Sequence, residues 1–427
     1  MFESMFDFDS GASEAQLRAR VEQFEQMKSA AAAGQARATA LWAAKREAAE
    51  TAGGVPAGKR GRGLTGEIAL ARHDAPVRGG THLGMATALV HEMPHTLAAL
   101  EAGVLSEWRA TLIVRESACL SVQHRRQLDT ALCADAARLH GWGNARIEAE
   151  AKKIAARLDA AAVVDRAANA ATDRCVTIRP APDTMTYVSA LLPVAQGVAV
   201  YAALKRAADT TFDERSRGQI MADTLVEHVT GRPAATPVPV ALNLVMADTT
   251  LAGDDQEPAW LEGYGPIPAG LACTLTGDAA TDANATATLR RLYRHPRSGQ
   301  LVAMESRSRT FPKGLAHFIG LRDQTCRTPY CDAPIRHRDH AVPHRQGGPT
   351  STLNALGLCQ ACNYTKEAPG WTTTTTEHHG QHLAEFTTPT TATYQSSAPP
   401  LPGPPLRQTI SIIEGQLSID LITFNAA

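Results

Sequence analysis

The sequence lacks an excess of charge of either sign. Its formal net charge is −1 at pH 7. That excludes a uniformly basic nucleic-acid coat, so any anion-binding surface must be local. It also lacks a long apolar run. The most apolar stretch, "SALLPVAQGVAVYAAL" (189–204), is broken by Pro193, Gln196 and Gly197, which excludes a membrane span. The first residues, "MFESMFDFDS", are acidic and have no basic leader region, so no signal peptide is expected. Internal repeats are absent. The lack of a membrane span and of a signal peptide together favours the cytoplasm.

What is present is ordinary globular material. A chain of 427 residues with 44% hydrophobic and 20% charged residues accommodates two or three domains. Charge is unevenly spread. Between Leu289 and Glu367 there are thirteen Arg or Lys against five acids, a local excess of eight positive charges, so the rest of the chain carries about nine negative ones. A solvated basic face would explain this window. A polyphosphate partner explains it better, because the residues with catalytic chemistry lie inside it.

Periodicity divides the chain. Ser13 to Glu50 reads as a helix, with Leu17, Val21, Phe24 and Met27 at helical spacing and Ser13 with Gln16 as a capping box. The N-terminal helix thus occupies 1–50, and the Gly-rich basic segment 51–66 reads as a linker. A mainly helical domain is expected over 67–285. "RRQLDTALCADAARL" and "RIEAEAKKIAARLDAAAVVDRAANAA" are its clearest amphipathic helices. "CVTIRP" and "VPVALNLVMA" read as strands. "TMTYVSALLPVAQGVAVYAALKRAAD" and "RSRGQIMADTLVEHVTG" read as helices, the second ending at Gly231. A connecting segment covers 286–314 and a compact module 315–371. Beyond that, 372–427 is a Thr- and Pro-rich tail able to form a short hairpin.

"HEMPH" (His91 to His95) matches the H-E-x-x-H pattern of zinc proteases. That pattern needs both histidines on one continuous helix. Pro94 between them would cost about 3 kcal/mol in a helix interior, so the motif is read as two helix-end histidines.

Of eight cysteines, Cys119, Cys133, Cys175 and Cys273 are scattered and read as small buried hydrophobes. The others are paired: "CRTPYC" holds Cys326 and Cys331, and "CQAC" holds Cys359 and Cys362. In a reducing compartment this spacing favours metal binding over disulfides. Two such knuckles offer four thiolates in a tetrahedron, the geometry structural Zn²⁺ prefers. A closed thiolate site leaves no position for water, so such an ion supports the fold and performs no catalysis. In small modules its binding is worth on the order of 10 kcal/mol.

Between the knuckles lies "HRDHAVPH" (337–344), with three histidines and an aspartate. On a helix His337, His340 and His344 would share a face, but Pro343 opposes one. On a strand His337 and His340 point apart, while Asp339 and His337 share a face. Three histidines on one ion are therefore not expected.

"DHAVPHRQGG", then Asn354, then "CQACNYTK" resembles the HNH endonuclease motif in its zinc-bearing form. The resemblance implies an α+β chain: a mainly helical N-terminal domain with a few strands, then a small ββα-metal module. It implies a metal-dependent endonuclease that cuts DNA, with RNA also open, and leaves a 3′-hydroxyl and a 5′-phosphate. In it His340 is the general base, Asp339 a catalytic-metal ligand, and Asn354 the residue that orients the base and braces the loop. Asn363 falls where many members have a second histidine, so the motif reads H-N-N. Its carbonyl oxygen suits a hard cation such as Mg²⁺ or Mn²⁺. Arg336, Arg338, Arg345 and Lys366 flank this centre and are expected to neutralise phosphates. His337 and His344 are expected to face the strand surface or phosphate.

Wider stretches, among them "ALARHDAPVRGG", "GYGPIPAG" and "FIGLRDQTCRTPYC", are similar to an actinobacterial repeat family. Its members join a helical N-terminal domain of unknown function to a C-terminal HNH module. That family more often has histidines where this chain has Cys362 and Asn363. The competing expectation is a zinc-stabilised nucleic-acid-binding module without cleavage. Asp339, His340 and Asn363 together argue for the enzyme, because binding alone needs none of them. A pure protein scaffold is disfavoured by the local positive charge.

Overall fold

The computed structural model describes residues 10–234, 243–253, 255–281 and 310–402. It mixes helix and strand in two compact units, the first chiefly the residues up to Arg174 and the second beginning at Cys175. The division falls inside the stretch 67–285 that the sequence presents as one domain. It lies where helical periodicity gives way to the first strand.

The first unit is helical: α1 (Glu14–Ala52), α2 (Leu64–Ala71), α3 (Gly79–His91), α4 (Pro94–Glu101), α5 (Glu107–Ser117), α6 (Val122–Cys133), α7 (Asn144–Leu158) and α8 (Ala160–Ala170). The Ser13–Gln16 capping box opens α1. The face that α1 buries is not the expected one. Leu17, Val21 and Met27 are exposed, and Ala32, Ala33, Ala36 and Ala40 pack against Met85, Leu89, Leu97 and Leu100. Small alanines let these helix backbones approach closely, which a pattern of large apolar residues does not reveal. The supposed linker 51–66 is partly helical, since α1 runs to Ala52 and α2 starts at Leu64 after Gly63, whose φ is +83°.

A second cluster joins Met93, Leu105, Ile113, Leu128, Leu132, Leu139 and Ile147. The "HEMPH" histidines sit on different helices. His91 ends α3, and Pro94 is the first residue of α4. The amides of His95 and Thr96 donate to the buried carboxylate of Asp129 at 2.8 Å each, so α6 caps α4.

The second unit starts with an antiparallel hairpin, β1 (Cys175–Pro180) and β2 (Thr186–Leu191), exposed along its length. Here the helix expected from Thr184 onward is corrected. Residues 186–191 are strand, and α9 (Val194–Thr210) begins only after Pro193. Pairing with β1, which local pattern cannot see, selects the extended form. Cys175 opens this hairpin and is exposed, against expectation, whereas Cys133 is buried. Next come α10 (Arg217–Thr230), stopped by Gly231 in the left-handed region, and a small sheet. That sheet is β3 (Leu244–Val245), β4 (Ala259–Leu261) and β5 (Gly265–Ile267), with α11 (Asp248–Ala252) and α12 (Ala269–Thr281) beside it. Only Leu244 and Val245 of the strand "VPVALNLVMA" are seen as strand; residues 238–242 of it lie outside the described residues. So does most of the connecting segment 286–314.

The remainder of the unit carries the chemistry-bearing residues. It comprises α13 (Lys313–Asp323), the hairpin β6 (His337–His340) and β7 (Ala355–Leu358), and α14 (Gln360–Lys366). A three-stranded meander follows: β8 (Thr372–His378), β9 (Gln381–Thr387) and β10 (Thr393–Ser397). Up to residue 402 the supposed tail is thus a sheet. It belongs to the same core, because Ala384 and Phe386 pack in one cluster with the four paired cysteines, Leu356 and Leu358. Alternation along β9 puts His382, Ala384 and Phe386 on its buried face. Among the described residues no helix is long and apolar enough to cross a membrane.

Candidate functional site

Two turns bring the cysteines together. In the first, Tyr330 adopts a positive φ of +62°, and the amide of Cys331 donates to the carbonyl of Thr328 at 3.1 Å. In the second, Cys359 precedes α14, and the amide of Cys362 lies 3.4 Å from the Cys359 sulfur. All four Sγ atoms fall within 4.8 Å of one another. The Cys331–Cys359 pair is 3.9 Å apart and the Cys331–Cys362 pair 3.6 Å. Sulfurs about 2.3 Å from a central zinc stand about 3.8 Å apart. The cluster could therefore hold a metal ion such as zinc. Hydrogen bonds from the neighbouring thiols pull the Cys326 thiol down to about 2, and the hydrogen bond that Cys331 gives it, with burial and the Cys326 charge, pushes Cys331 up to about 12. A dication would relieve that mutual opposition.

The hairpin pairs His337 with Leu358, Arg338 with Gly357, Asp339 with Leu356 and His340 with Ala355. Gly357 has no room for a side chain, since a Cβ would lie 2.5 Å from Ile335 and 3.2 Å from the Asp323 carboxylate. That carboxylate is a buried hub. It accepts from the Gly357 amide at 2.7 Å, from Arg322 at 2.7 and 3.0 Å, and from Arg327 at 2.9 Å. Burial opposes its ionisation, but the Arg322 and Arg327 guanidiniums hold it below the usual carboxylate range. Arg322 also donates to the carbonyls of Thr352 and Ala355, on either side of Asn354. Arg327 donates to the carbonyls of His382 and Ser396, tying the meander to the cysteine turn.

His340 ends β6 and is 6% exposed. Its Nε2 hydrogen-bonds with Thr350 Oγ1 at 2.8 Å, and its Nδ1 lies 3.8 Å from Asp339 Oδ1. The Phe311 ring packs 4.6 Å away and the exposed His344 ring 5.7 Å away, centroid to centroid. Burial lowers the His340 pKa, and the charges of His344 and Lys366 add to that against the opposing pull of Asp339. Asp339 Oδ1 accepts from the His340 amide at 2.9 Å, and its Oδ2 pairs with Lys366 Nζ at 2.9 Å.

Asn354 spends its side chain on the loop between the strands. Its Oδ1 accepts from the Val342 amide at 2.9 Å, and its Nδ2 donates to the carbonyls of Val342 and Pro349 at 3.0 and 2.8 Å. Gly348 leaves space for this. A Cβ there would lie 1.8 Å from the Val342 oxygen and 2.7 Å from Asn354 Nδ2. Asn363 sits on α14 one turn before Lys366, hence on the same helix face. Its Oδ1 is buried and has no hydrogen-bond partner among the described residues. An unpartnered amide oxygen on α14, the helix whose Lys366 pairs with Asp339, is the kind of ligand a hard divalent cation takes.

The structure therefore brings Asp339, His340, Asn354 and the helix of Asn363 to one hairpin. It separates the cations expected to face phosphate. Arg336, Arg338 and Arg345 are exposed, but Lys366 is buried against Asp339, a correction to its expected outward role. Its side chain is only 3% exposed and its ammonium is paired with that carboxylate rather than turned outward. Sequence reasoning misses Thr350, Asp323 with its two arginines, and His382. Thr350 lies in "GGPT", where nothing distinguishes a histidine partner from a turn residue.

These residues define a mixed helix-and-strand chain with a four-cysteine cluster of metal-binding kind in its second unit. The chain belongs to the family described as Domain of unknown function (DUF222), whose model matches residues 18–323. The match ends at Asp323, so both cysteine pairs and the residues between them lie beyond it. No curated protein and no solved structure matches the chain.

Proposed function

We propose that the second unit carries a metal-dependent endonuclease centre of the HNH type, with structural zinc on Cys326, Cys331, Cys359 and Cys362. The observation that carries this reading is the pairing of a low-pKa, hydrogen-bonded imidazole, His340, with Asp339 and the orphaned Asn363 oxygen at one hairpin and helix. When bound at Asp339 and Asn363, a Mg²⁺ or Mn²⁺ ion would supply charge to stabilise the phosphodiester transition state and its leaving oxygen.

The chain's own residues divide the remaining work. The Nε2–H of His340 donates to Thr350, which leaves Nδ1 as the lone pair able to take a proton from water. A depressed pKa keeps that nitrogen neutral at pH 7. Asn354 and Gly348 hold the loop that carries Thr350. Arg336, Arg338 and Arg345 supply exposed positive charge for a sugar–phosphate backbone, consistent with the local excess of basic residues and with DNA as substrate.

The test is nicking of supercoiled plasmid by the purified protein with and without Mg²⁺ or Mn²⁺, beside His340→Ala. Metal-dependent nicking that the variant loses is expected. Binding without nicking would leave a nucleic-acid-binding module in its place. Zinc content should fall in Cys326→Ser and Cys359→Ser and stay unchanged in His340→Ala; zinc lost from the histidine variant would overturn the division of ligands.

A further inference from the structure

Both oxygens of Asp339 are engaged from within the chain, Oδ1 by the His340 amide and Oδ2 by the Lys366 ammonium. The partners differ in kind. The Lys366 side chain is only 3% exposed, whereas Asp339 is 31% exposed. A buried ammonium requires a counter-charge, and the carboxylate beside it supplies one. The same carboxylate is the acidic ligand of the cation site proposed above, and Asn363 stands one helical turn from Lys366. A single carboxylate thus faces two cations, one built into α14 and one from solution.

We propose that Lys366 is a resident counter-ion that sets the affinity of the Asp339–Asn363 site for divalent cations. Without a dication, its ammonium neutralises Asp339. A dication must displace the ammonium from Oδ2, and the cost of that displacement weakens binding. This makes the site one that fills only at high free divalent-ion concentration. The inference rests on the metal-site reading, and the measurements below separate the two.

Calorimetric titration of Mn²⁺ into the full chain, preloaded with zinc, is the direct test. Lys366→Met is expected to bind Mn²⁺ about tenfold more tightly than the unmodified protein, from the removed repulsion. Lys366→Arg, which keeps the charge, should stay near the unmodified value. Weaker or unchanged binding in Lys366→Met, with binding in the parent protein that Asp339→Asn abolishes, would overturn the counter-ion role and leave the metal site standing. Mn²⁺ binding indifferent to Asp339→Asn would defeat the metal-site reading itself. A measurement on the unmutated protein guards against misfolded variants. Mn²⁺ should increase acetylation of Lys366 by acetic anhydride, read by peptide mass spectrometry, because the ammonium loses its carboxylate partner. Labelling that Mn²⁺ leaves unchanged would overturn the proposal.

Discussion

Thr350 Oγ1 and His340 Nε2 stand 2.8 Å apart, the hydrogen bond on which the proposed tautomer of the imidazole rests. In that tautomer Nε2–H is donated to the hydroxyl and the lone pair of Nδ1 is left on the Asp339 side. Thr350→Val removes the acceptor while keeping the shape. Plasmid nicking should fall about 10- to 100-fold, with zinc content intact and Thr350→Ser close to the parent rate. A Val variant with full activity would show that the tautomer is set elsewhere.

The pH profile follows from the same ring. In its proposed role as a base His340 acts only when neutral, and its pKa lies below the ordinary histidine value of 6.5, chiefly through burial. Activity should therefore persist below pH 6.5 and be lost as the pH falls through the depressed value. An acid limb at or above 6.5 in the nicking rate would contradict the assignment. His344→Gln removes one of the charges that depress the pKa, so it should move the limb upward.

Gly348 is a position where one methyl group should be decisive. A Cβ would meet the Val342 carbonyl oxygen at 1.8 Å, and backbone cannot swing aside as a side chain can. Gly348→Ala should lower stability by about 2 kcal/mol or more and displace Asn354, so nicking should fall as well. Thermal unfolding at matched zinc content reads the first effect. Gly347→Ala tests a different cost, since Gly347 has a φ of +88° but nothing within 4 Å of a Cβ.

His382 links protonation to the meander. Its Nε2 donates to the Leu353 carbonyl at 2.8 Å and its Nδ1 faces the Arg327 guanidinium at 3.3 Å, so the ring is held neutral. Burial, reinforced by Arg322 and Arg327, brings its pKa down from 6.5 to about 4. The unfolded chain binds this proton more readily, so the contribution is complete above pH 6.5 and is lost as the pH falls to about 4. That amounts to about 3 kcal/mol. His382→Gln should be less stable at pH 7 yet lose less stability over this window, as followed by thermal unfolding across pH.

What is legible in the sequence is what short spacing encodes. Cys326 with Cys331 and Cys359 with Cys362 are near neighbours in sequence, and the turns that join them converge as expected. Pro94 dissolves the protease-like motif for a reason visible in one residue. Partnerships across distance are illegible. Residues 186–191 look helical until β1 pairs with them, and the Thr-rich stretch looks like a tail until Phe386 is seen in the cysteine core. Lys366 reads as a phosphate ligand because one-dimensional pattern places it near basic residues. Only the packing of α14 against β6 turns it toward Asp339.

The Asp323 hub also has a practical bearing on where the chain can be cut. A fragment opening at Cys326 would keep both cysteine knuckles and every H-N-N position, yet it would strip the Asp323 carboxylate that pairs with Arg327, whose side chain is 3% exposed. It would also remove Phe311 from beside His340. Starting at residue 310 preserves both, so soluble expression of the isolated four-cysteine module should favour the longer boundary over the one that the cysteines suggest.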